Sequence, residues 1–386
     1  MRSFPLKREP IIIGFEEKAA FTETYGFVGS QGHVFLEGQR LLPDGQDSDT
    51  VLIFMHPAST LNLMPLPAAL ARAGHHVICA GSRYAKNDTA LIMEKVAVDL
   101  GAYVRHAREE LGYRNVVLAG WSGGGSLATF YQSQAEKPTV TETAAGETYD
   151  LQRAGLMSAD ALMFIAAHTG RARILAEWID PSVTDELNPD ACDPALNLYG
   201  AGIAPPYSTE FVAGFRDAQI RRVRRITDRA LETLDMLRKR GGAELERPFL
   251  VHRTMADPRF LDPSQEPNDR QPGWCYLGNP ETVNNGPAGL ARFTTLRAWL
   301  SQWSPDHSRA DAEACIRDVT VPLLVVENSA DDAVPTAHPR CVYAAATMAD
   351  RSYARIDGAT HYYKEQPEHL IRAVGLLTDW LAERGF

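Results

Sequence analysis

A chain of 386 residues has room for one large α/β domain with an insertion, or for two ordinary domains, and either can bury a substantial core. The formal charge of −10 and the pI near 5.6 argue against a nucleic-acid partner, because phosphate recognition needs a concentrated basic surface. The five cysteines, Cys79, Cys192, Cys275, Cys315 and Cys341, are odd in number and scattered without the close spacing of zinc or redox sites; they read as reduced, mostly packed thiols.

Residues 1–10 carry Arg2, Lys7, Arg8 and Glu9, and the run Ile11 to Ile13 is far too short for the apolar part of a secretory signal. No stretch approaches the ~20 apolar residues of a membrane helix. A cytoplasmic chain is expected. Three strand-like stretches follow, Phe21 to Val28, His33 to Leu41 and Val51 to Met55, separated by turns such as Pro43-Asp44-Gly45. From there strands and helices alternate, as in a parallel sheet: a helix over Leu63 to Ala73, a strand at His76 to Ala80, a helix near Thr89 to Leu111, and a strand running into Ser122. A helix follows, then a polar loop (Thr139 to Thr148) and a strand at Ala161 to Ala166. The periodic segment Ser208 to Arg240 predicts a long helix with Phe211, Phe215, Val223, Ile226, Leu234 and Leu237 as its apolar positions, and Asp257 to Pro287 is irregular. The tail predicts a strand at Val321 to Val326, a helix over His338 to Thr347, a strand at Tyr353 to Ile356 and a closing helix from Pro367 to Arg384.

The chemistry concentrates at Gly120-Trp121-Ser122-Gly123-Gly124. Small residues on both sides of the serine allow a very tight turn between strand and helix, leaving the hydroxyl exposed at the strand end. A serine hydroxyl is a weak nucleophile at neutral pH, so it needs a histidine base within reach and a carboxylate to hold that base in the right tautomer. Asp331 lies just past a strand end, at the same rim of the sheet, and His361 in Gly358-Ala359-Thr360-His361 lies 30 positions beyond it, directly after the last strand. Asp332 is an adjacent rival for the acid and His369 for the base, the latter falling in the closing helix. Bland readings also exist: an acid at an Asx turn, and a satisfied or surface histidine among the eleven of this chain.

Through the pentapeptide and these two C-terminal loops the chain resembles the α/β-hydrolase family, whose acid loop has the form D-x-x-V-P, matched by Asp331 to Pro335. The resemblance implies an α/β-hydrolase sandwich with a mostly parallel sheet, antiparallel N-terminal strands and a largely helical cap insertion. Asp331 lies 209 positions after Ser122, whereas two helices, two strands and their loops need only about 60, so roughly 150 residues are extra. The expected division is a core of residues 1–168 and 311–386 with a cap of residues 169–310 roofing the serine. The resemblance assigns Ser122, Asp331 and His361 to a catalytic triad, and the oxyanion hole to the backbone N–H groups of Gly123 and Ala58. Ala58 lies in His56-Pro57-Ala58-Ser59, where Pro57 replaces the family's glycine and restricts the turn; His56 reads as a brace for that loop.

The implied activity is a cofactor-independent, metal-free serine hydrolase that cleaves a carboxylic ester through an acyl-enzyme. Thioester, lactone and carbon–carbon cleavage use the same triad, and a ligand receptor with a vestigial site is the reading from another class. The expected partner is a small-molecule acyl substrate, with no nucleic acid and no membrane span, and a homodimer through the cap or sheet edge is compatible with the sequence. His168, Thr169, Arg171, Trp274 and Tyr276 are either pocket wall or core. The arginines 216, 221, 222, 224, 225 and 229 of the long helix read as a solvated face paired with Asp217, Asp228, Glu232 and Asp235 at helical spacing, ahead of an anion-binding role.

Overall fold

The computed structural model describes residues 3–17 and 32–386. The strand expected at Phe21 to Val28 lies outside the described residues. Among the described residues the main sheet has eight strands: β1 (Leu6–Glu16), β2 (His33–Pro43), β3 (Thr50–His56), β4 (His76–Gly81), β5 (Asn115–Ser122), β6 (Ala161–Ala167), β7 (Leu323–Asn328) and β8 (Arg351–Ile356), in the spatial order β1-β2-β4-β3-β5-β6-β7-β8. β2 runs antiparallel to both β1 and β4; every pairing from β4 to β8 is parallel.

The interior strands are apolar on both faces, and their side chains alternate between two cores, as a repeat of two requires. Val51, Ile53 and Met55 of β3, Val116 and Leu118 of β5, and Leu162 and Phe164 of β6 face helices α2 (Met93–Glu109) and α3 (Gly123–Glu136). Leu52 and Phe54, Val117 and Ala119, and Met163 and Ile165 face the other way, against α1 (Pro65–Ala73) and the C-terminal helix Pro367–Ala382. Each fully buried side chain of this kind contributes about 1.5–3 kcal/mol relative to exposure, so these two layers carry most of the stabilisation. β1 went unread in the sequence because its opening Lys-Arg-Glu-Pro is so polar. Its signal was alternation: Ile11 is 5% exposed and its neighbour Ile12 72%, and Pro10 is tolerated because β1 is an edge of the sheet among the described residues.

Between β6 and β7 the chain leaves the sheet and forms α4 (Arg171–Trp178), α5 (Thr209–Arg240) and short elements that include a π-helical turn at Trp299–Trp303. α5 starts at Ser208, whose hydroxyl accepts the Phe211 N–H, a cap that satisfies one orphan donor of the first turn. Its buried positions Val223, Ile226, Ala230, Leu234 and Leu237 pack with Leu175, Ile179, Val251, Trp299, Leu300 and Trp303 in a cluster separate from the sheet's two layers. From Ala310 onward the chain packs on the sheet again.

Arg221, Arg224, Arg225 and Arg229 of α5 are exposed, as a solvated face requires, but Arg216, Arg222 and Arg224 depart from the expected helical pairing, because their carboxylate partners come from outside the helix. Arg222 is fully buried and bidentate to Glu186 at 2.8 and 2.7 Å, Arg216 pairs with Asp257 at 2.7 Å, and Arg224 with Asp306 at 2.8 Å. The guanidinium fork gains more from a fixed carboxylate and several carbonyls than from a mobile neighbour one turn away. All five cysteines are free, with Cys79 and Cys275 buried. No described helix is long and apolar enough to cross a membrane.

Candidate active site

β5 delivers Ser122 to the C-terminal rim of the parallel sheet, and α3 begins at the next residue. The turn requires Ser122 to adopt φ 55° and ψ −126°, outside the usual range of L residues. Two glycines permit it by close approach. A Cβ on Gly120 would stand 2.6 Å from Gly125 Cα, and one on Gly124 would stand 2.3 Å from the Met55 carbonyl oxygen. Such a strained residue persists only where the surroundings over-determine it, here by packing α3 directly on β3 and β5.

The loops after β7 and β8 are stitched to each other before they reach the serine. Ala330 N–H donates to the Ala359 carbonyl at 3.0 Å, and the Asn328 side-chain amide to the Thr360 carbonyl at 3.0 Å. They present Asp331 and His361, each 1% exposed. Asp331 Oδ1 accepts the N–H groups of Ala333 (2.8 Å) and Val334 (2.7 Å), which fixes the carboxylate. Its Oδ2 lies 2.9 Å from His361 Nδ1, and His361 Nε2 lies 3.1 Å from Ser122 Oγ. A carboxylate only accepts, so Nδ1 carries the hydrogen and Nε2 is left to accept from the serine hydroxyl. Trp121 covers the imidazole with ring centroids 4.4 Å apart, and the Tyr362 ring meets it edge-on at 4.9 Å.

The structure thus brings together Ser122, Asp331 and His361. The rival Asp332 has a buried Oδ1 without a partner among the described residues, and burial, then the neighbouring Asp331, raises its pKa. His369 lies on the C-terminal helix, beside Gly358.

Ser122 opens into a cavity of about 310 Å³. His168, Arg171 and Tyr276 line it; Thr169 instead binds His338 through its N–H (3.1 Å), and Trp274 is absent from the wall. Sequence reasoning missed Lys86 and Asp88 from the loop after β4, together with Trp121, Trp178 and Tyr362. Trp121, inside the pentapeptide, and Tyr362, next to His361, had a usable signal in their positions; Lys86, Asp88 and Trp178 are distant in sequence and had none. Arg171 is buried, pairs with Asp88 and stacks on Trp303 at 4.4 Å. Burial pushes the His56 pKa down to about 3, helped by the charges of Arg171 and His361, and holds His168 well below its ordinary value, so both rings are neutral.

One expectation is corrected. The Ala58 N–H, expected to face the reacting carbonyl, donates to His56 Nδ1 at 3.2 Å, and Ser59 N–H donates to the same atom at 3.0 Å. Pro57 supplies no N–H and fixes its own φ, so the chain folds back until the next two N–H groups converge on the ring preceding it. Gly123 is the first residue of α3, so its N–H has no carbonyl four residues back within the helix.

No protein-family model and no curated protein matches the sequence. Solved structures do match. DcsB in complex with its substrate analogue aligns with a TM-score of 0.51 at 12% identity, over 97% of this chain and 99% of that one. The hypothetical protein PA2218 from Pseudomonas aeruginosa aligns with a TM-score of 0.51 at 12% identity, over 98% and 96%. The sheet order, the serine on a strained strand-to-helix turn, and an acid and a histidine following it in that chain order decide the architecture. The chain has the α/β-hydrolase fold. The C-terminal ends of β3, β5, β6, β7 and β8 all contribute to the cavity wall or to the Ser122–His361–Asp331 hydrogen-bond chain.

Proposed function

We propose that the protein is a cofactor-independent serine hydrolase that cleaves a carboxylic ester or related acyl bond. One observation carries this reading: the continuous chain of Ser122 Oγ, His361 and Asp331 at 3.1 and 2.9 Å, with the acid's remaining oxygen already occupied. His361 Nε2 takes the proton as Ser122 Oγ attacks the substrate carbonyl, and Asp331 stabilises the imidazolium. Gly123 N–H receives the developing oxyanion. Collapse expels the leaving group, protonated by His361, and water, activated by the same base, releases the acid from Ser122.

Residues 169–310 act in this reading as a cap that encloses the acyl chain. Ile174, Trp178, Tyr276 and Leu290 supply the apolar wall contributed from that segment, and the cavity of about 310 Å³ suits a small or medium acyl group. Esters, thioesters, lactones and carbon–carbon bonds make the same demand on the triad, so substrate turnover separates them. Intact-mass analysis after exposure to an organophosphonate, beside Ser122→Ala, tests the nucleophile, and short p-nitrophenyl esters and acyl thioesters rank the bond. A single adduct that is lost in the variant, with turnover following it, is expected. Folded wild-type protein that takes no adduct and turns over no substrate would move the reading to a ligand receptor.

A further inference from the structure

If Ala58 spends its N–H on His56, the oxyanion has one backbone donor where two are usual. The loop cannot easily return it. Pro57's carbonyl accepts from Ser82 Oγ at 2.5 Å, Ala58's carbonyl accepts from Lys86 N–H at 2.8 Å, and the two following N–H groups are held by the ring. A second donor must come from elsewhere on the cavity wall.

His56 itself provides one. Its Nδ1 accepts two N–H groups and therefore carries no hydrogen, so in the neutral ring the hydrogen sits on Nε2. Burial keeps the ring neutral across the working pH range. Nε2 has no hydrogen-bond partner among the described residues, and His56 lines the same cavity as Ser122. The atom also stands against the residue that carries the other donor: a Cβ on Gly123 would be 2.8 Å from His56 Nε2. His168 approaches the same glycine at 3.5 Å, but its buried Nδ1 has no partner, so nothing fixes which of its nitrogens carries the hydrogen.

Building on the serine hydrolase reading above, we infer that His56 Nε2–H and Gly123 N–H together form the oxyanion hole, the side chain replacing the Ala58 amide. When Ser122 Oγ bonds to the carbonyl carbon, its proton passes to His361 Nε2 and the π pair moves onto the carbonyl oxygen. That oxygen accepts from Gly123 N–H and His56 Nε2–H. On collapse the pair returns, the bond to the leaving group breaks, and the leaving group takes the proton from His361. The His56 hydrogen is shared and never transferred, so a fixed tautomer is what the role needs.

Two substitutions separate this role from loop bracing. Asn places its amide oxygen near the position of Nδ1 and keeps an acceptor for Ala58 and Ser59, but has no hydrogen at the ε position. Gln places an amide N–H near Nε2 and loses that acceptor. With the phosphonate-reactive wild type as reference, His56→Asn is expected to lower kcat by about 10²–10³-fold, with KM changed only slightly. The affinity for a boronic acid that forms a tetrahedral adduct falls by a similar factor, and His56→Gln retains at least tenfold more kcat than His56→Asn. Wild-type kcat in His56→Asn, or His56→Gln as the slower of the two, overturns the assignment and leaves His56 a brace. Should His56→Asn fail to fold, nitrogen NMR of histidine-labelled wild type in the boronate complex decides: an Nε2–H engaged with the adduct oxygen supports the assignment, and an unchanged resonance overturns it. Wild-type protein that takes no phosphonate overturns the hydrolase reading and this assignment with it, whereas an adduct with an unaffected His56→Asn overturns this assignment alone.

Discussion

Asp331 meets His361 Nδ1 with one carboxylate oxygen at 2.9 Å while its other oxygen is held by the N–H groups of Ala333 and Val334. The two roles are not interchangeable: the oxygen bound by two backbone donors cannot turn towards the imidazole. In Asp331→Asn the amide oxygen keeps the backbone N–H groups and the NH₂ faces Nδ1, forcing the hydrogen onto Nε2, where it opposes the serine. We expect kcat to fall about 10⁴-fold at neutral pH, while Asp332→Asn stays within a few-fold of wild type. Steady-state kinetics of the two adjacent variants decide between the acids.

Ser122 pays for its exposed position with backbone strain at φ 55°. Glycine adopts that region without a Cβ clash, so Ser122→Gly is expected to be more stable than Ser122→Ala by about 1–3 kcal/mol in urea unfolding. Both lose the nucleophile of the proposed mechanism. Their expected activity drop, about 10⁶-fold in kcat for a serine in that role, measures the proposed triad, and their stability difference measures the turn.

Gly124→Ala places a methyl group 2.3 Å from the Met55 carbonyl oxygen, and backbone cannot yield there as a side-chain tip would. A loss of about 3 kcal/mol or more is expected, at the upper end of overpacking costs, read as a lowered thermal midpoint or insoluble protein. Gly146→Ala, where nothing lies within 4 Å but φ is +83°, isolates the conformational part, about 1 kcal/mol.

Acid should loosen the fold through the part-buried His56 and the buried His168. His56 has a pKa of about 3 in the folded protein against 6.5 unfolded, and His168 is also depressed, in both cases chiefly by burial. Between those limits the unfolded chain binds protons that the folded one refuses. This contribution is therefore complete above pH 6.5 and is lost as pH falls towards 3, at up to about 1.4 kcal/mol per pH unit for each ring. Asp332, whose pKa is raised, works in the opposite direction. Urea unfolding at pH 7 and pH 5 is expected to show a larger acid loss in wild type than in His56→Asn.

Arg222 gives the test of the long helix. It is fully buried, bidentate to Glu186, and donates to the carbonyls of Asp180 (2.7 Å), His252 (2.8 Å) and Arg253 (3.1 Å). Arg222→Ala removes the bidentate partner of Glu186, which keeps only Arg225 at 3.6 Å, and one donor from each of those carbonyls, of which that of Arg253 retains the Asp180 N–H at 2.9 Å; a loss of about 3–5 kcal/mol is expected, whereas the exposed Arg221→Ala is expected within about 0.5 kcal/mol of wild type. Equal effects would mean that the ion pair contributes nothing that water cannot replace.

Much of this protein was legible in its sequence, and the reason is locality. A strand that turns into a helix through Gly120, Ser122 and Gly124 is specified within five residues, because the absence of Cβ atoms decides whether the backbone can turn at all. Apolar runs such as Ala161 to Ala166 declare a strand buried on both faces without reference to their neighbours. The order Ser122, Asp331, His361 followed from placing each residue just past a strand end. Tertiary structure decided what depends on direction. Asp331 and Asp332 are adjacent and chemically equivalent; the D-x-x-V-P pattern favoured the first, and the approach of the loop after β8 is what brings it to His361 Nδ1. The Ala58 N–H belongs to the expected loop, yet the turn imposed by Pro57 aims it at His56 instead of the site. The cavity wall gathers Lys86, Trp178, Tyr276 and Tyr362 from segments far apart in the chain. A hydrogen bond or a pocket exists only when two groups point at the same place, and that orientation is fixed by packing across the whole sheet, beyond the reach of any local pattern.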